Sequence, residues 1–222
     1  MHRVTSLLIP LLLLASPAPE LPKVFTSAKV AFPRIGEVSI KANVKQGSNP
    51  HLSFRSSRGG LLLDAVVGTG KGWKESVVEL QPDWVMEKLA FVVIHRPGLP
   101  DPLVVALAMD PGGSDCAYRA ALFGEVSGRL KELTPDLSDH DFRGGDVLSR
   151  RPDGAWALTV YSERYQANDV HVNGPSRMEV FVYRYDSTLG QFIKTSEKET
   201  EYGEIPESDP DLVWLFGDFA QC

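Results

Sequence analysis

Polar and apolar residues alternate along much of this chain. Val38, Ile40, Ala42 and Val44 interleave with Glu37, Ser39, Lys41 and Asn43. A period of two puts one set on each face of an extended segment, so this stretch predicts a half-buried strand. Further strands are expected at Leu52–Arg55, Leu61–Val67, Ser76–Leu80, Phe91–His95, Leu103–Met109, Tyr118–Phe123, Ala155–Tyr161, Met178–Tyr185 and Gln191–Thr195. Each is short and bounded by Gly, Pro, Asp or Asn, the residues that turn a chain between strands. Helical periodicity is scarce. A helix of about two turns is expected from Pro82 to Leu89, where a Pro and an acid precede good helix formers. Asp211–Phe216 reads as a last strand or a short helix packed on the body. Glu197 to Asp211, with seven acids, Lys198, Pro206 and Pro210, reads as a solvated, extended connector.

Two stretches echo each other. Leu103–Leu107, Tyr118–Phe123 and Gly128–Leu133 match Trp156–Tyr161, Glu179–Tyr185 and Gly190–Lys194 in order and character. Each set reads strand, loop, strand, Gly turn, strand. Self-similarity at a fixed offset is the mark of repeat architecture, although generic hairpins share the pattern. We therefore expect one β-rich domain over 19–222, with an internal duplication at about 98–135 and 147–196.

Within it, Pro100-Asp101-Pro102-Leu103-Val104-Val105 and Val182-Tyr183-Arg184-Tyr185 followed by Gly190-Gln191-Phe192 carry a family resemblance. Residues 98–196 resemble the antiparallel blades of FG-GAP and VCBS-type propeller repeats. The resemblance implies a mainly β fold of antiparallel sheets with few short helices. Two blades cannot close a ring, so a sandwich or an incomplete propeller-like stack is expected, which also covers sheet edges. It further implies a calcium turn of alternating oxygen ligands ended by Gly. The nearest match is Asp139-His140-Asp141-Phe142-Arg143-Gly144-Gly145-Asp146, with Asp139, Asp141 and Asp146 as ligands. Arg143 stands where a third oxygen is wanted and would repel the ion. The alternative is a polar turn whose Asp and Gly serve its own backbone, and no cofactor at all.

The N-terminus changes the setting. Met1-His2-Arg3, an apolar run from Leu7 to Leu14 and Ala15-Ser16-Pro17-Ala18 form the basic, hydrophobic and small-residue parts of a secretory leader over 1–18. The run is shorter than the about 20 residues a spanning helix needs. The expected product is exported, to the periplasm or the medium, with no later membrane span. Its net charge of −6 gives no electrostatic reason to bind nucleic acid. In an oxidising compartment Cys116 and Cys222 can pair. Closing a loop of that length contributes on the order of 4 kcal/mol in the loop-entropy account; the alternative is two unpaired thiols.

Candidate chemistry is sparse. Gly68-Thr69-Gly70-Lys71-Gly72 lacks both the earlier Gly and the Ser or Thr of a phosphate loop. His51, His95, His140 and His171 show no metal-ligand spacing. Asp169 and His171 share a strand face, where a surface hydrogen bond is the simpler reading. No Gly-x-Ser-x-Gly elbow occurs. Trp73, Trp84, Tyr161 and Tyr165 neighbour Gly-rich or polar sequence and, if exposed, suit stacking on a sugar or gripping a peptide; burial in the core is the other reading. The expected function is a ligand- or partner-binding or structural module that recognises a protein or carbohydrate on its β surface. The alternative is a secreted hydrolase with a spatially assembled carboxylate and His site.

Overall fold

Twelve of the thirteen strands among the described residues are joined in sequence order into three up-and-down meanders, each strand pairing with the one that follows it. The computed structural model describes residues 23–44, 50–67, 88–110, 117–134, 144–164 and 177–201. The first meander comprises β2 (Ser27–Phe32), β3 (Gly36–Asn43), β4 (His51–Ser56) and β5 (Leu61–Val66). The second comprises β6 (Lys88–Ile94), β7 (Leu103–Asp110), β8 (Ala117–Val126) and β9 (Arg129–Glu132), with β1 (Val24–Phe25) added beside β6. The third comprises β10 (Gly144–Arg150), β11 (Trp156–Arg164), β12 (Arg177–Asp186) and β13 (Gln191–Glu201). All pairings are antiparallel.

The sheet β1/β6–β9 is the middle layer. Along β7, Leu103, Val105 and Leu107 enter one core with Trp156, Leu158, Val160, Phe181 and Phe192 of the third meander. Val104, Ala106 and Ala108 enter a second core with Val30, Val38, Ile40, Leu52 and Phe54 of the first. Strand β8 divides in the same way, Leu122 to one side and Ala121 and Phe123 to the other. The Phe54 and Phe123 rings meet 5.1 Å apart across that second core. Burying one such side chain contributes roughly 1.5–3 kcal/mol. With both faces covered, β7 reads Leu-Val-Val-Ala-Leu-Ala without a polar interruption. The outer sheets keep one wet face, and there the alternation survives, as in β3.

Local chemistry fixes the joints. Val126 pairs with Arg129 across the two-residue turn Ser127-Gly128, both at positive φ. That is the backbone whose twist suits a tight hairpin. The meanders are tied by polar bonds as well. The Leu133 N–H donates to Leu122 O at 2.7 Å, and the Phe192 N–H donates to Leu133 O at 2.9 Å, so one residue bridges the second and third sheets. The Arg34 N–H, in the β2–β3 turn, donates to Glu125 Oε2 of β8 at 3.0 Å. Trp156 Nε1–H donates to Pro97 O at 2.9 Å and fastens β11 to the β6–β7 loop.

The mainly β, antiparallel expectation holds, and no helix occurs among the described residues. Lys88 and Leu89, expected to end a helix, belong to β6, where Leu89 fills the second core. Residues 82–87 lie outside the described set, as do Ser76–Leu80 and Asp211–Phe216. Glu197–Glu201, expected to begin a solvated, extended connector, pair with β12 and extend β13. The ladder supplies the backbone bonds, while Glu197, Lys198 and Glu199 are all exposed to water. No described helix is long and apolar enough to cross a membrane.

Candidate functional site

The wet face of the first meander gathers polar and charged side chains from three strands into one groove. The alternation that buries Val38, Ile40, Leu52 and Phe54 turns Lys41 and Asn43 outward from β3, and His51, Ser53 and Arg55 outward from β4. Register brings them together. Lys41 stands opposite Ser53, and Ser53 opposite Asp64 of β5. Asn43 stands opposite His51, and Arg55 opposite Leu61. These seven side chains line an open groove of about 550 Å³.

The groove has a built floor. Asn43 Nδ2 donates to Ser53 Oγ at 3.0 Å and to Lys41 O at 3.2 Å. Ser53 Oγ–H donates to Lys41 O at 3.3 Å. The hydroxyl is thus engaged with β3, and these bonds tie it to Asn43 and Lys41 as a structural group. His51 Nδ1 lies 3.5 Å from Asp64 Oδ2, each side chain about two-fifths exposed. This distance is long for a hydrogen bond. Arg55 Nη1–H donates to Gly59 O at 3.2 Å. Among the described residues, neither Lys41 nor Arg55 has a carboxylate partner. Two cations against the single carboxylate Asp64 make the groove net positive on a chain of net charge −6. Leu61 closes one end with an exposed apolar side chain.

A second His–carboxylate pair lies in the β6–β7 loop, where His95 Nδ1 meets Asp101 Oδ1. Both side chains are more than three-fifths exposed. Among the described residues no three His, Cys, Asp or Glu side chains converge as a metal set would.

The residues singled out from sequence fall elsewhere. Asp139, Asp141, Trp73, Trp84, Tyr165, Cys116 and Cys222 lie outside the described residues, as do His140, His171 and residues 68–72. Asp146 is in β10, opposite Val160, and Gly144 opens that strand opposite Ser162. Tyr161 is in β11, opposite Val180 on one side and Gly145 on the other. Of the histidines, His51 and His95 acquire carboxylate neighbours. The groove residues were visible in the sequence only as the polar half of an alternation. Nothing in the spacing of Lys41, Ser53 and Asp64 says that one row holds all three; strand register does.

No protein-family model matches the chain, and no curated protein matches it.

Proposed function

We propose that this chain is an exported binding module and that the wet face of β3–β5 is its ligand surface. The observation that carries the reading is the net-positive groove over Ser53, with Lys41 and Arg55 free of carboxylate partners among the described residues. Lys41 and Arg55 are exposed on the sheet face, and their positive charge favours an anionic group on the ligand. The exported setting follows the leader-like segment 1–18. The repeat reading, akin to FG-GAP and VCBS-type blades, gains support from the common up-and-down order of the three stacked meanders.

A hydrolase with an assembled carboxylate and His site is the weaker reading. His51 and Asp64 do line the groove, but at 3.5 Å they are beyond good hydrogen-bond distance, and the nearby hydroxyl, Ser53 Oγ, is bonded to Asn43 and Lys41. The binding reading is tested by titrating the full chain with caproate, a plain carboxylate probe, and following backbone amide shifts by NMR. The expected shifts map to the outward residues of β3, β4 and β5 and vanish in the Lys41→Met/Arg55→Met double variant. Shifts centred on the third meander, or unchanged in the double variant, would overturn the assignment.

A further inference from the structure

Charge in the groove is segregated. Lys41 and Arg55 are diagonal neighbours, because Arg55 is two residues along β4 from Ser53, the partner of Lys41. His51 and Asp64 are the opposite diagonal, because His51 is two residues the other way from Ser53, the partner of Asp64. A cationic corner and an acidic corner therefore face each other across Ser53. Lys41 and Asp64 stand two strand spacings apart, about 10 Å between backbones, with both side chains lining the same groove. Asp64 is not consumed by the floor: its neighbour His51 stays 3.5 Å away. Leu61, opposite Arg55, offers an apolar surface to an aliphatic stem.

We infer that the groove selects a zwitterion whose two charges are separated by a flexible stem, an ω-amino acid or a whole short peptide, with its carboxylate toward Lys41 and Arg55 and its ammonium toward Asp64. This rests on the binding reading above and names its ligand class. A monovalent anion satisfies only one corner. A cation alone meets Asp64 but also the repulsion of Lys41 and Arg55. A molecule carrying both charges on a flexible stem satisfies both corners at once, while Asn43 and Ser53 remain to orient polar groups between them.

Three probes of matched stem separate the cases: ε-aminocaproate, caproate and hexylamine, each titrated into the full chain and read by amide shifts. Exposed ion pairs are individually weak, so ε-aminocaproate is expected to bind only about threefold or more tighter than caproate, and hexylamine weakest. Asp64→Asn should bring ε-aminocaproate down to the caproate level and leave caproate no weaker. Equal affinity for caproate and ε-aminocaproate, with both lost in Lys41→Met/Arg55→Met, would overturn the zwitterion and leave an anion site. Hexylamine matching ε-aminocaproate would also overturn it. Absence of shifts with all three probes would overturn both readings together.

Discussion

Gly190 closes the β12–β13 turn at φ +65°, with its N–H donating to Asp186 O at 2.7 Å. The Asp186 carboxylate meanwhile accepts from the N–H groups of Thr188 and Leu189. A Cβ at Gly190 would sit 2.5 Å from Val126 Cγ1, on the neighbouring sheet. The glycine therefore serves two ends, a left-handed backbone and the close approach of two layers. Gly190→Ala is expected to destabilise the fold by about 2 kcal/mol, measured by urea denaturation. Adding Val126→Ala should recover part of that loss, because it removes the clash and leaves only the backbone strain. Strictly additive effects would refute the close approach.

At the scale of the element, hairpin turns do more than reverse the chain. In the β10–β11 turn, the Asp153 carboxylate accepts from the Ala155 N–H at 3.1 Å and meets Arg184 Nη2 of β12 at 3.0 Å. The bond from Ala155 is the main cause holding its carboxyl below the ordinary 3.8, with Arg184 adding to it and desolvation opposing. A lowered folded pKa means that the charged form is favoured by folding. Its stabilising contribution is present above the unfolded pKa and is lost as pH falls through the folded one. The side chain is exposed, so the effect is small. The melting-temperature gap between the natural protein and Asp153→Asn is expected at neutral pH and should close as acidification protonates the folded-state carboxyl. A gap that persists in acid would assign the effect to turn geometry instead of charge.

Across the whole molecule, the middle sheet belongs to two cores. Leu122 and Phe123 are consecutive and fully buried, yet Leu122 supports the third meander and Phe123 the first. If the shared layer couples them, either core lost takes the other with it. Leu122→Ala and Phe123→Ala are each expected to cost about 2–5 kcal/mol and to leave a single transition. Far- and near-ultraviolet circular dichroism should report the same midpoint in both variants. Two separated transitions in either variant would mean that the outer meanders unfold on their own. The groove over Ser53 lies on the far side of the first meander from the middle sheet, so neither substitution touches a groove residue.

By itself the sequence determined the class of structure and most strand positions. Alternation at Val38–Val44 and the unbroken apolar run at Leu103–Ala108 follow directly from one wet face and from none. The two sets of segments that look alike in sequence lie on the second, third and fourth strands of the second and third meanders. The first meander has the same strand order but was not legible as a unit, since β2 mixes small and polar residues, Ser-Ala-Lys-Val-Ala-Phe. Glu197–Glu201 looked like solvated chain because a charged edge strand and a charged connector have one composition. Only the tertiary structure decided which sheet lies in the middle, since that depends on how faces are matched between layers. It alone also decided that Lys41, Ser53 and Asp64 share a row while Arg55 and His51 flank it. A site assembled across three strands is a matter of register, and a register shift of one residue would send every one of those side chains into the core.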